Sequence, residues 1–341
     1  MKILIIGGTG LISTALTGQL LARGDEVTVY NRGLSPSRLT VQPWTMRGDR
    51  TDHAAFEAQM GQVGPYDCVI DMIGYEEADA ASVVRAFRGR TGHLIFCSTV
   101  DVYAKPAPTY PIREDAPRRP ITDYARKKVL CEDLLFAAHQ RGDLPVSILR
   151  ATYTYGEGAR GVIHSLGFRT TFLDRIRKGL RVIVQGNGTS LWNPCHTDDV
   201  ARGFVGAAGN PRAFGKAYNV TGEEAITWNQ FTVKIAEAMD APPPTLVHIP
   251  TDALAAVLPR QAELSRDNIQ YPNVHDTAAA RADLGYRYTI PVVEGMRRAI
   301  SWLDANGGIE SSDADLTYDR VITAWERLSA SLRAELAGIE Q

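Results

Sequence analysis

A glycine-rich turn near the start of the chain constrains the fold more than any other stretch. Gly7-Gly8-Thr9-Gly10 follows an apolar run, Lys2–Ile6, and precedes a stretch with helical spacing of apolar residues, Leu11–Arg23. In the order strand, glycine turn, helix, backbone N–H groups and the helix N-terminus can meet a pyrophosphate. The stretch therefore predicts a dinucleotide-binding turn, in which Ser13 replaces the third glycine of the usual pattern.

Short apolar runs and helical stretches alternate through the first half of the chain. The predicted strands are Lys2–Ile6, Glu26–Tyr30, Cys68–Met72, His93–Cys97 and Val146–Arg150. The predicted intervening helices are Leu11–Arg23, Ser82–Gly89 and Thr122–Arg141. This alternation predicts an α/β fold with a doubly wound parallel sheet and right-handed crossovers.

The alternation becomes less regular after Arg150, which predicts a smaller C-terminal substrate-binding region. Its predicted elements are strands Val182–Gln185 and Ala217–Val220 and helices Thr197–Ala208 and Trp228–Met239, and one more helix, Leu316–Leu336, is predicted after it. We divide the chain into a dinucleotide-binding domain (1–150), a substrate-binding region (151–310) and a C-terminal helical extension (311–341). We expect a segment of about 195–222 to return to the first domain.

Composition disfavours several classes of partner. Lys and Arg number 37 against 39 Asp and Glu, for a formal net charge of −2, so there is no strong attraction for nucleic acid or an anionic membrane surface. No apolar run reaches the length of a membrane span. The four scattered cysteines lack metal-site spacing and favour thiols in a reducing cytoplasm over disulfides. We therefore expect a cytoplasmic protein without a metal ion, a membrane or a nucleic acid as partner.

A tyrosine and a lysine share one face of the predicted helix Thr122–Arg141. Tyr124 and Lys128 are four residues apart, so both can point at the same ligand. Taken alone, this spacing is also typical of an amphipathic surface helix with a solvated lysine. The other motifs of the chain distinguish the two interpretations.

Together, the motifs resemble those of the extended short-chain dehydrogenase/reductases, in the NAD-dependent epimerase/dehydratase group. The segments that carry the resemblance are Gly7–Gly10, Phe96–Tyr103, Pro120–Lys128, Val146–Gly156 and Cys195–Ala201. They follow the order and spacing of that family over roughly residues 1–300. The resemblance implies a Rossmann-type sheet and a homodimer.

The resemblance also implies the catalytic roles. Tyr124 would be the acid/base, and Lys128 would lower the pKa of its phenol and hold the nicotinamide ribose. Thr99 would hydrogen-bond the same substrate oxygen, with Ser98 as the neighbouring candidate. Asp101 would act as a secondary acid or base.

The residues after the second predicted strand leave two cofactors open. Asn31 and Arg32 stand where an NAD enzyme usually has an acidic residue. Arg32 can pair with the 2′-phosphate of NADP, or Asn31 can bind the ribose hydroxyls of NAD while Arg32 stacks on adenine. We expect NAD, with NADP as the alternative. The residues predicted to contact the cofactor are Gly7, Thr9, Gly10, Leu11, Ile12, Asn31, Arg32, Asp49, Arg50, Met72, Ile73 and Lys128.

Three positions differ from the sugar-nucleotide enzymes of the family. Tyr153 takes the place of a usual asparagine, and Trp192 that of an arginine that grips the substrate diphosphate. Tryptophan cannot neutralise a diphosphate, but it can stack on a planar base or a sugar face. The run from Thr99 to Asp101 lacks the first acid of the 4,6-dehydratases, which disfavours elimination of water. The residues predicted to contact substrate are Tyr75, Ser98, Tyr153 and Trp192.

These features predict an NAD(P)-dependent epimerase that acts on the sugar ring of a nucleotide sugar or nucleoside through a transient keto intermediate. A reductase or dehydratase of the same family is the alternative. The chain also resembles chloroplast stem-loop RNA-binding proteins in its start and in Asn31-Arg32-Gly33. An RNA-binding role is disfavoured because Thr99, Tyr124 and Lys128 are all present and the chain is slightly acidic.

Overall fold

The computed structural model describes residues 1–34, 38–337 and 339. The strands are β1 (Lys2–Ile6), β2 (Glu26–Asn31), β3 (Trp44–Arg47), β4 (Cys68–Asp71), β5 (Leu94–Thr99), β6 (Val146–Ala151), β7 (Thr154–Tyr155), β8 (Val162–His164), β9 (Gly167–Arg169), β10 (Val182–Gln185), β11 (Leu191–Trp192), β12 (Cys195–His196), β13 (Lys216–Val220), β14 (Ile226–Thr227) and β15 (Leu246–Ile249).

The α-helices are α1 (Leu11–Ala22), α2 (His53–Gly61), α3 (Glu77–Phe87), α4 (Asp123–Gln140), α5 (Thr171–Arg177), α6 (Thr197–Ala207), α7 (Trp228–Ala238), α8 (Thr251–Val257), α9 (Ala278–Leu284), α10 (Val292–Ala305) and α11 (Leu316–Glu335). Short 3₁₀ turns lie at Val100–Val102, Pro211–Ala213 and Ser312–Ala314, and a π-helical turn lies at Ser265–Ile269. Within the described residues, none of the helices combines the length and the apolar character needed to cross a membrane.

Seven strands form one sheet, in the order β13-β6-β5-β4-β1-β2-β3, and each neighbouring pair is parallel. The register pairs Ile6 with Tyr30 and Asn31 with Arg47, so the carboxyl ends of β1, β2 and β3 meet at one edge. Ligands of such sheets bind outside the carboxyl ends of the strands. The prediction of a Rossmann-type, doubly wound parallel sheet is confirmed.

Helices cover both faces of the sheet, which explains why its central strand is an uninterrupted apolar run. In β1, Ile3 and Ile5 belong to an apolar cluster that includes residues of α1 and α6. Leu4 and Ile6 belong to a second cluster, which includes residues of α2, α3 and α4. Because side chains alternate along a strand, a strand buried on both sides needs apolar residues at every position.

Two elements of the first half were not predicted, and a third starts earlier than predicted. β3 is an edge strand whose Trp44 is 78% exposed, so it lacks the apolar run by which the other strands were predicted. α2 follows it without strong apolar periodicity. α3 begins at Glu77 instead of Ser82, because the Asp79 carboxylate accepts hydrogen bonds from the backbone N–H groups that precede the helix.

Contacts divide the chain into two compact units. Unit 1 comprises Met1–Glu157, Trp192–Ala225 and Pro272–Gly295, and unit 2 comprises Gly158–Leu191, Ile226–Tyr271 and Met296–Gln341. β13 lies in unit 1 and joins its sheet. In unit 2, β10 pairs with β15, and Tyr318 of α11 packs into the same apolar cluster as Ile183 and Leu254. All predicted site residues lie in unit 1.

Candidate active site

The glycine turn after β1 is too tight for larger residues. Gly7 has φ +90°, and a Cβ atom there would lie 2.5 Å from Ile73 Cγ2. A Cβ atom on Gly8 would lie 2.3 Å from Val29 Cγ1. Both distances are shorter than any real Cβ contact, so the first two glycines let the backbone pass between β2 and the loop after β4.

Ser13 fixes the turn to the helix that follows. Its Oγ accepts a hydrogen bond from the Gly10 N–H (2.8 Å) and donates one to the Gly7 carbonyl (2.6 Å). Gly10 is the N-cap of α1 and is exposed, so the free N–H groups of a twelve-residue helix begin at an open surface. A helix N-terminus of this kind fits a pyrophosphate. Leu11 and Ile12, the first helical residues, are half-buried.

The loop after β4 lies beside this turn. The Met72 N–H donates to the Ile6 carbonyl (3.0 Å), and the Ile73 side chain packs directly against Gly7. The next residue, Gly74, accepts a hydrogen bond from Lys128 Nζ (2.8 Å). The structure therefore brings the predicted cofactor residues Met72 and Ile73 together with both the glycine turn and the lysine of α4.

The predicted catalytic residues meet where β5 ends and α4 begins. Thr99 is the last residue of β5, and its Oγ1 accepts a hydrogen bond from the Asp101 N–H (3.2 Å). It lies close enough to Tyr124 for its hydroxyl to lower the pKa of the phenol. Tyr124 lies in the first turn of α4, which starts where Thr122 Oγ1 accepts from the Ala125 N–H (3.3 Å). Lys128 follows one turn later and is almost completely buried. The family-type Thr–Tyr–Lys arrangement is thus present in three dimensions.

The Tyr124 phenol combines an open side with a buried hydroxyl environment. The residue is 45% exposed. Desolvation raises the pKa of Tyr124 above its usual value, the nearby Cys97 and Asp101 raise it further, and the nearby Thr99 hydroxyl lowers it. With the pKa raised in this way, the phenol is protonated at neutral pH and suited to donate a proton. The lowering of this pKa that we predicted from Lys128 and a positively charged nicotinamide stays a prediction.

Lys128 is held by backbone and aromatic groups. Besides Gly74, its ammonium donates to the Cys97 carbonyl (2.7 Å). It lies 4.9 Å from the centre of the Tyr75 ring and 5.9 Å from that of the Tyr124 ring. The Tyr75 and Tyr124 rings are 6.4 Å apart, and Tyr75 is also well exposed. The predicted substrate residue Tyr75 therefore borders the catalytic tyrosine.

Ser98 points away from this group because successive side chains of a strand face opposite sides. Its hydroxyl donates to Glu132 Oε1 (2.6 Å), and both residues are buried. Arg150 completes the cluster through a bidentate pair with Glu132, with Nε–Oε1 3.0 Å and Nη2–Oε2 2.7 Å. Of the two candidates on β5, Thr99 meets Tyr124 and Ser98 meets an internal ion pair.

A second polar cluster adjoins the site through Asp101. Lys105 Nζ pairs with Asp101 Oδ1 (3.0 Å) and donates to Asn273 Oδ1 (2.6 Å). Asn273 forms a backbone bridge with Trp192, whose ring is 5.5 Å from that of Tyr153. The structure thus connects the predicted substrate residues Tyr153 and Trp192 to Asp101.

The carboxyl ends of β2 and β3 border a pocket of about 260 Å³, which Gly8 and Thr9 also line. Asn31 Oδ1 accepts a hydrogen bond from the Gly33 N–H (2.7 Å), so one of its two lone pairs is used within the turn. Arg47, the last residue of β3, lines the same pocket. Sequence reasoning missed Arg47 because β3 itself was not predicted.

The loop after β3 places two adjacent predicted cofactor residues, Asp49 and Arg50, in different environments. Asp49 is exposed, and its pKa is lowered by hydrogen bonds from the backbone and hydroxyl of Thr51 and by the charge of Arg32. Arg50 is 4% exposed, and its guanidinium donates to the Asp71 carboxylate (3.3 Å) and to the Asp79 carbonyl. Asp49 is accessible to a ligand, whereas Arg50 packs against protein groups.

Other site-forming residues were also missed by sequence reasoning. Lys105 and Asn273 carry no motif, since 168 residues separate them in the chain. Glu132 does carry a signal, because it continues the four-residue spacing of Tyr124 and Lys128 along α4. A third polar residue on the same helix face would have predicted a contact with the strand under it.

The parallel sheet, the glycine turn and the Thr–Tyr–Lys arrangement define an enzyme of the extended short-chain dehydrogenase/reductase type. The family model described as "NAD dependent epimerase/dehydratase family" matches residues 3–221. The chain belongs to the NAD-dependent epimerase/dehydratase family.

Relatives within this family differ in what their names describe. The chain is 27% identical over 244 residues to a 2′-dehydrokanamycin reductase of Streptomyces kanamyceticus, covering 71% of this chain and 68% of the relative. It is 25% identical over 340 residues to a chloroplast stem-loop binding protein of Arabidopsis thaliana, covering 94% and 84%. The structure of a UDP-glucose 4-epimerase from Bifidobacterium longum with NAD⁺ and UDP superposes with a TM-score of 0.72 at 20% identity, covering 91% of this chain and 100% of that one.

Proposed function

We propose that the protein is an epimerase that oxidises and re-reduces a carbinol on the sugar ring of a nucleotide sugar or nucleoside. One observation carries the proposal: the ammonium of Lys128 lies 5.9 Å from the centre of the Tyr124 ring, and Tyr124 is 45% exposed. The Thr99 hydroxyl lies close enough to lower the pKa of this phenol, and two neighbouring hydroxyl groups can hold one substrate oxygen in both its alcohol and its carbonyl state. The UDP-glucose 4-epimerase structure with the same fold is consistent with this chemistry.

Tyr124, Thr99 and Lys128 have different roles at the substrate oxygen. A nicotinamide dinucleotide, when bound, supplies the hydride acceptor and donor. Tyr124 is 45% exposed and would first release its phenol proton to solvent; as phenolate it takes the hydroxyl proton as the carbinol becomes a ketone, and it returns that proton on reduction. Thr99 donates a hydrogen bond to the carbonyl oxygen. Lys128, fixed by the carbonyls of Gly74 and Cys97, holds a positive charge near the phenol and favours its ionised form during oxidation.

The aromatic pair Tyr153 and Trp192 supports a substrate that does not rely on a diphosphate contact at this position. Trp192 is buried and its ring lies 5.5 Å from that of Tyr153. The nearby ammonium of Lys105 is already balanced by Asp101. Tyr153, which is half-buried, and the buried Trp192 packed against it form a flat apolar wall beside a neutral ion pair. The Tyr153 ring of this wall favours stacking on a sugar face or a base over neutralisation of phosphate. Such contacts are not directional, so they allow a ketone to turn before hydride returns to its other face.

A net reductase is the second candidate. The same wall, formed by Trp192 where a phosphate-binding arginine would otherwise stand, also fits a saccharide without a nucleotide. The reductase from Streptomyces kanamyceticus, whose name describes reduction of 2′-dehydrokanamycin, supports this candidate. In a reductase the hydride is consumed, whereas in an epimerase it is returned to the same substrate.

Cofactor stoichiometry distinguishes the two functions. Purified protein is incubated with a catalytic amount of NAD⁺ or NADP⁺ and one substrate per reaction: UDP-glucose, UDP-galactose or uridine. The products are separated by chromatography. Epimer in molar excess over cofactor supports the proposal, and the Tyr124→Phe variant should give none. Kanamycin is tested in parallel for stoichiometric reduction of NAD(P)⁺. Reduced cofactor accumulating in step with an oxidised product, without epimer, would replace the epimerase by the reductase.

RNA binding is the remaining alternative, and the relative from Arabidopsis thaliana gives it a reason to be tested. The formal net charge of −2 provides little attraction for a polyanion. We expect weak binding to a stem-loop RNA in a gel-shift or filter assay. Tight binding that weakens steeply with added salt would support the RNA-binding role instead.

A further inference from the structure

We propose that the pocket at the carboxyl ends of β2 and β3 binds the 2′-phosphate of NADP(H), with Arg47 as its principal cation. The family name refers to NAD, so this inference concerns which nicotinamide dinucleotide this chain selects. It rests on the use of a dinucleotide, but not on whether the hydride is returned to the same substrate.

The position of the pocket matches the adenosine end of a dinucleotide. It is lined by Gly8 and Thr9 of the glycine turn and by Asn31 at the end of β2. Its volume of about 260 Å³ is smaller than the pockets of about 300–1,000 Å³ that enclose whole ligands of drug size. It therefore fits one end of a dinucleotide whose pyrophosphate lies at the N-terminus of α1.

The chemistry of the lining disfavours an unmodified ribose. An NAD enzyme usually places a carboxylate here, which accepts hydrogen bonds from the ribose hydroxyls. No acidic residue lines the pocket among the described residues. Asn31 replaces the carboxylate only in part: its Oδ1 accepts from the Gly33 N–H (2.7 Å) and keeps one further lone pair, and it carries no charge. The ribose hydroxyls of NAD would therefore meet a single neutral acceptor in place of the usual charged carboxylate.

Arg47 is directed at this position by the sheet register. It pairs with Asn31 across the parallel ladder, so it lies at the same level on the neighbouring strand. Its guanidinium passes over Gly33, where a Cβ atom would be 3.1 Å from Nε and 3.2 Å from Cζ. Gly33 has φ +71° and leaves room for this side chain. Arg47 is exposed, and within the described residues it forms no ion pair with a carboxylate.

Arg32 differs from Arg47 in its surroundings. Its charge acts on Asp49, whose pKa it helps to lower, so part of its field is already compensated. It does not line the pocket. An uncompensated guanidinium binds phosphate through paired, charge-assisted hydrogen bonds. The structure therefore assigns the larger contribution to Arg47, and Arg32 provides a matched control variant of the same charge.

The test compares two small probes that differ only in the 2′-phosphate. The full chain is titrated by calorimetry with 2′,5′-ADP and with 5′-AMP, and then with NADPH and NADH. We expect the protein to bind the phosphorylated member of each pair at least about tenfold more tightly, as charge-assisted hydrogen bonds to phosphate imply. Equal affinities, or tighter binding of 5′-AMP and NADH, would overturn the proposal.

Substitutions of Arg47 and Arg32 test which arginine binds the 2′-phosphate. Arg47→Ala should weaken binding of 2′,5′-ADP by about 10- to 100-fold and change binding of 5′-AMP by no more than about threefold. Arg32→Ala should have a smaller effect on 2′,5′-ADP. A larger loss in Arg32→Ala, or an equal loss of both probes in Arg47→Ala, contradicts the assignment. Because β3 is an edge strand, circular dichroism is recorded for each variant, and Arg47→Lys serves as a conservative replacement that keeps the charge.

These measurements do not depend on catalysis. Tyr124→Phe should keep the wild-type ratio of affinities for 2′,5′-ADP and 5′-AMP, because the phenol lies at the other end of the dinucleotide site. A preserved preference with no turnover of any substrate would refute the proposed function and leave the assignment of Arg47 intact. The reverse result, turnover with NAD⁺ and no preference for the phosphorylated probes, would refute only the assignment.

Discussion

Replacement of Arg150 by methionine tests whether the ion pair behind the catalytic residues holds the site together. Arg150 and Glu132 are both buried and joined by two hydrogen bonds, with Nε–Oε1 3.0 Å and Nη2–Oε2 2.7 Å. Burial alone lowers the pKa of Arg150, but the hydrogen bond and charge of Glu132 outweigh it, so the pKa is raised. Arg150 is therefore charged at neutral pH.

The size of the expected stability loss follows from the partners that Glu132 keeps. In the Arg150→Met variant, Glu132 keeps the Ser98 hydroxyl (2.6 Å) and Arg118 Nη1 (3.1 Å), whereas it loses its bidentate partner. Removing one member of a buried pair costs about 3–5 kcal/mol, because a charge stays buried without compensation. Since Arg118 compensates part of this charge, we expect the free energy of unfolding to fall by about 3 kcal/mol, at the lower end of that range.

Arg85 provides the control, since it makes a bidentate pair of the same type with Glu57 at the surface. Its Nη2–Oε1 distance is 2.6 Å, and the two side chains are 55% and 27% exposed. Removal of an exposed pair costs about 0.2–1 kcal/mol. Urea denaturation followed by circular dichroism and fluorescence gives the free energies of unfolding for wild type, Arg150→Met and Arg85→Met.

The double variant Glu132→Met/Arg150→Met sharpens the interpretation. If the cost of Arg150→Met comes from the buried carboxylate, removal of that carboxylate should restore part of the stability, because apolar replacement of a whole buried pair is often neutral. Our reasoning is refuted if Arg150→Met and Arg85→Met lose the same stability. It is refuted equally if the double variant is less stable than Arg150→Met by the full cost of a second core substitution.

Three further perturbations test other parts of the structure. Tyr124→Phe should lower turnover, measured by steady-state kinetics, by about 10²- to 10⁴-fold without weakening dinucleotide binding, measured by calorimetry. Turnover near that of wild type would contradict the acid/base role of Tyr124. Gly8→Ala should destabilise the fold by about 1–3 kcal/mol through the 2.3 Å approach to Val29 Cγ1, and the added Val29→Ala change should recover part of the loss in urea denaturation; no recovery would contradict the clash. Burial lowers the pKa of His164 to about 3, so the unfolded chain binds a proton that the folded chain does not as the pH falls below about 6.5, and stability is lost. In His164→Phe, the free energy of unfolding should fall less steeply with decreasing pH, by about 1 kcal/mol per pH unit. Urea denaturation midpoints that depend on pH as in wild type would refute this prediction.

Local patterns in the sequence were sufficient to predict the parallel sheet and the helix that carries Tyr124 and Lys128. β1 runs from Lys2 to Ile6 as predicted, and α4 from Asp123 to Gln140 lies within one residue of the prediction at each end. Both carry their own signals: a strand covered on both faces is apolar throughout, and a helix needs a cap and a periodic face. β3, in contrast, is a short edge strand with an exposed Trp44, so nothing in its composition distinguishes it from a loop.

Choices between neighbouring residues were not determined by local patterns. Sequence reasoning placed Ser98 beside Thr99 in the substrate site, and the alternation of a strand turns the Ser98 side chain to Glu132. It also placed Arg50 at the cofactor, and the fold pairs that guanidinium with Asp71. A difference of one position along a strand reverses the side that a residue faces, and sequence alone does not fix that direction for a strand buried on both faces.

What the sequence determined by itself was the order of the elements, the glycine turn and the spacing of Tyr124 and Lys128, since each depends on residues that are close in the chain. Only the tertiary structure brought Lys105 to Asn273 and aligned Arg47 with Asn31. These contacts depend on the register of parallel strands and on the return of distant segments to the sheet edge. Charge at the proposed cofactor site is therefore decided by strand pairing, which no short stretch of the sequence encodes.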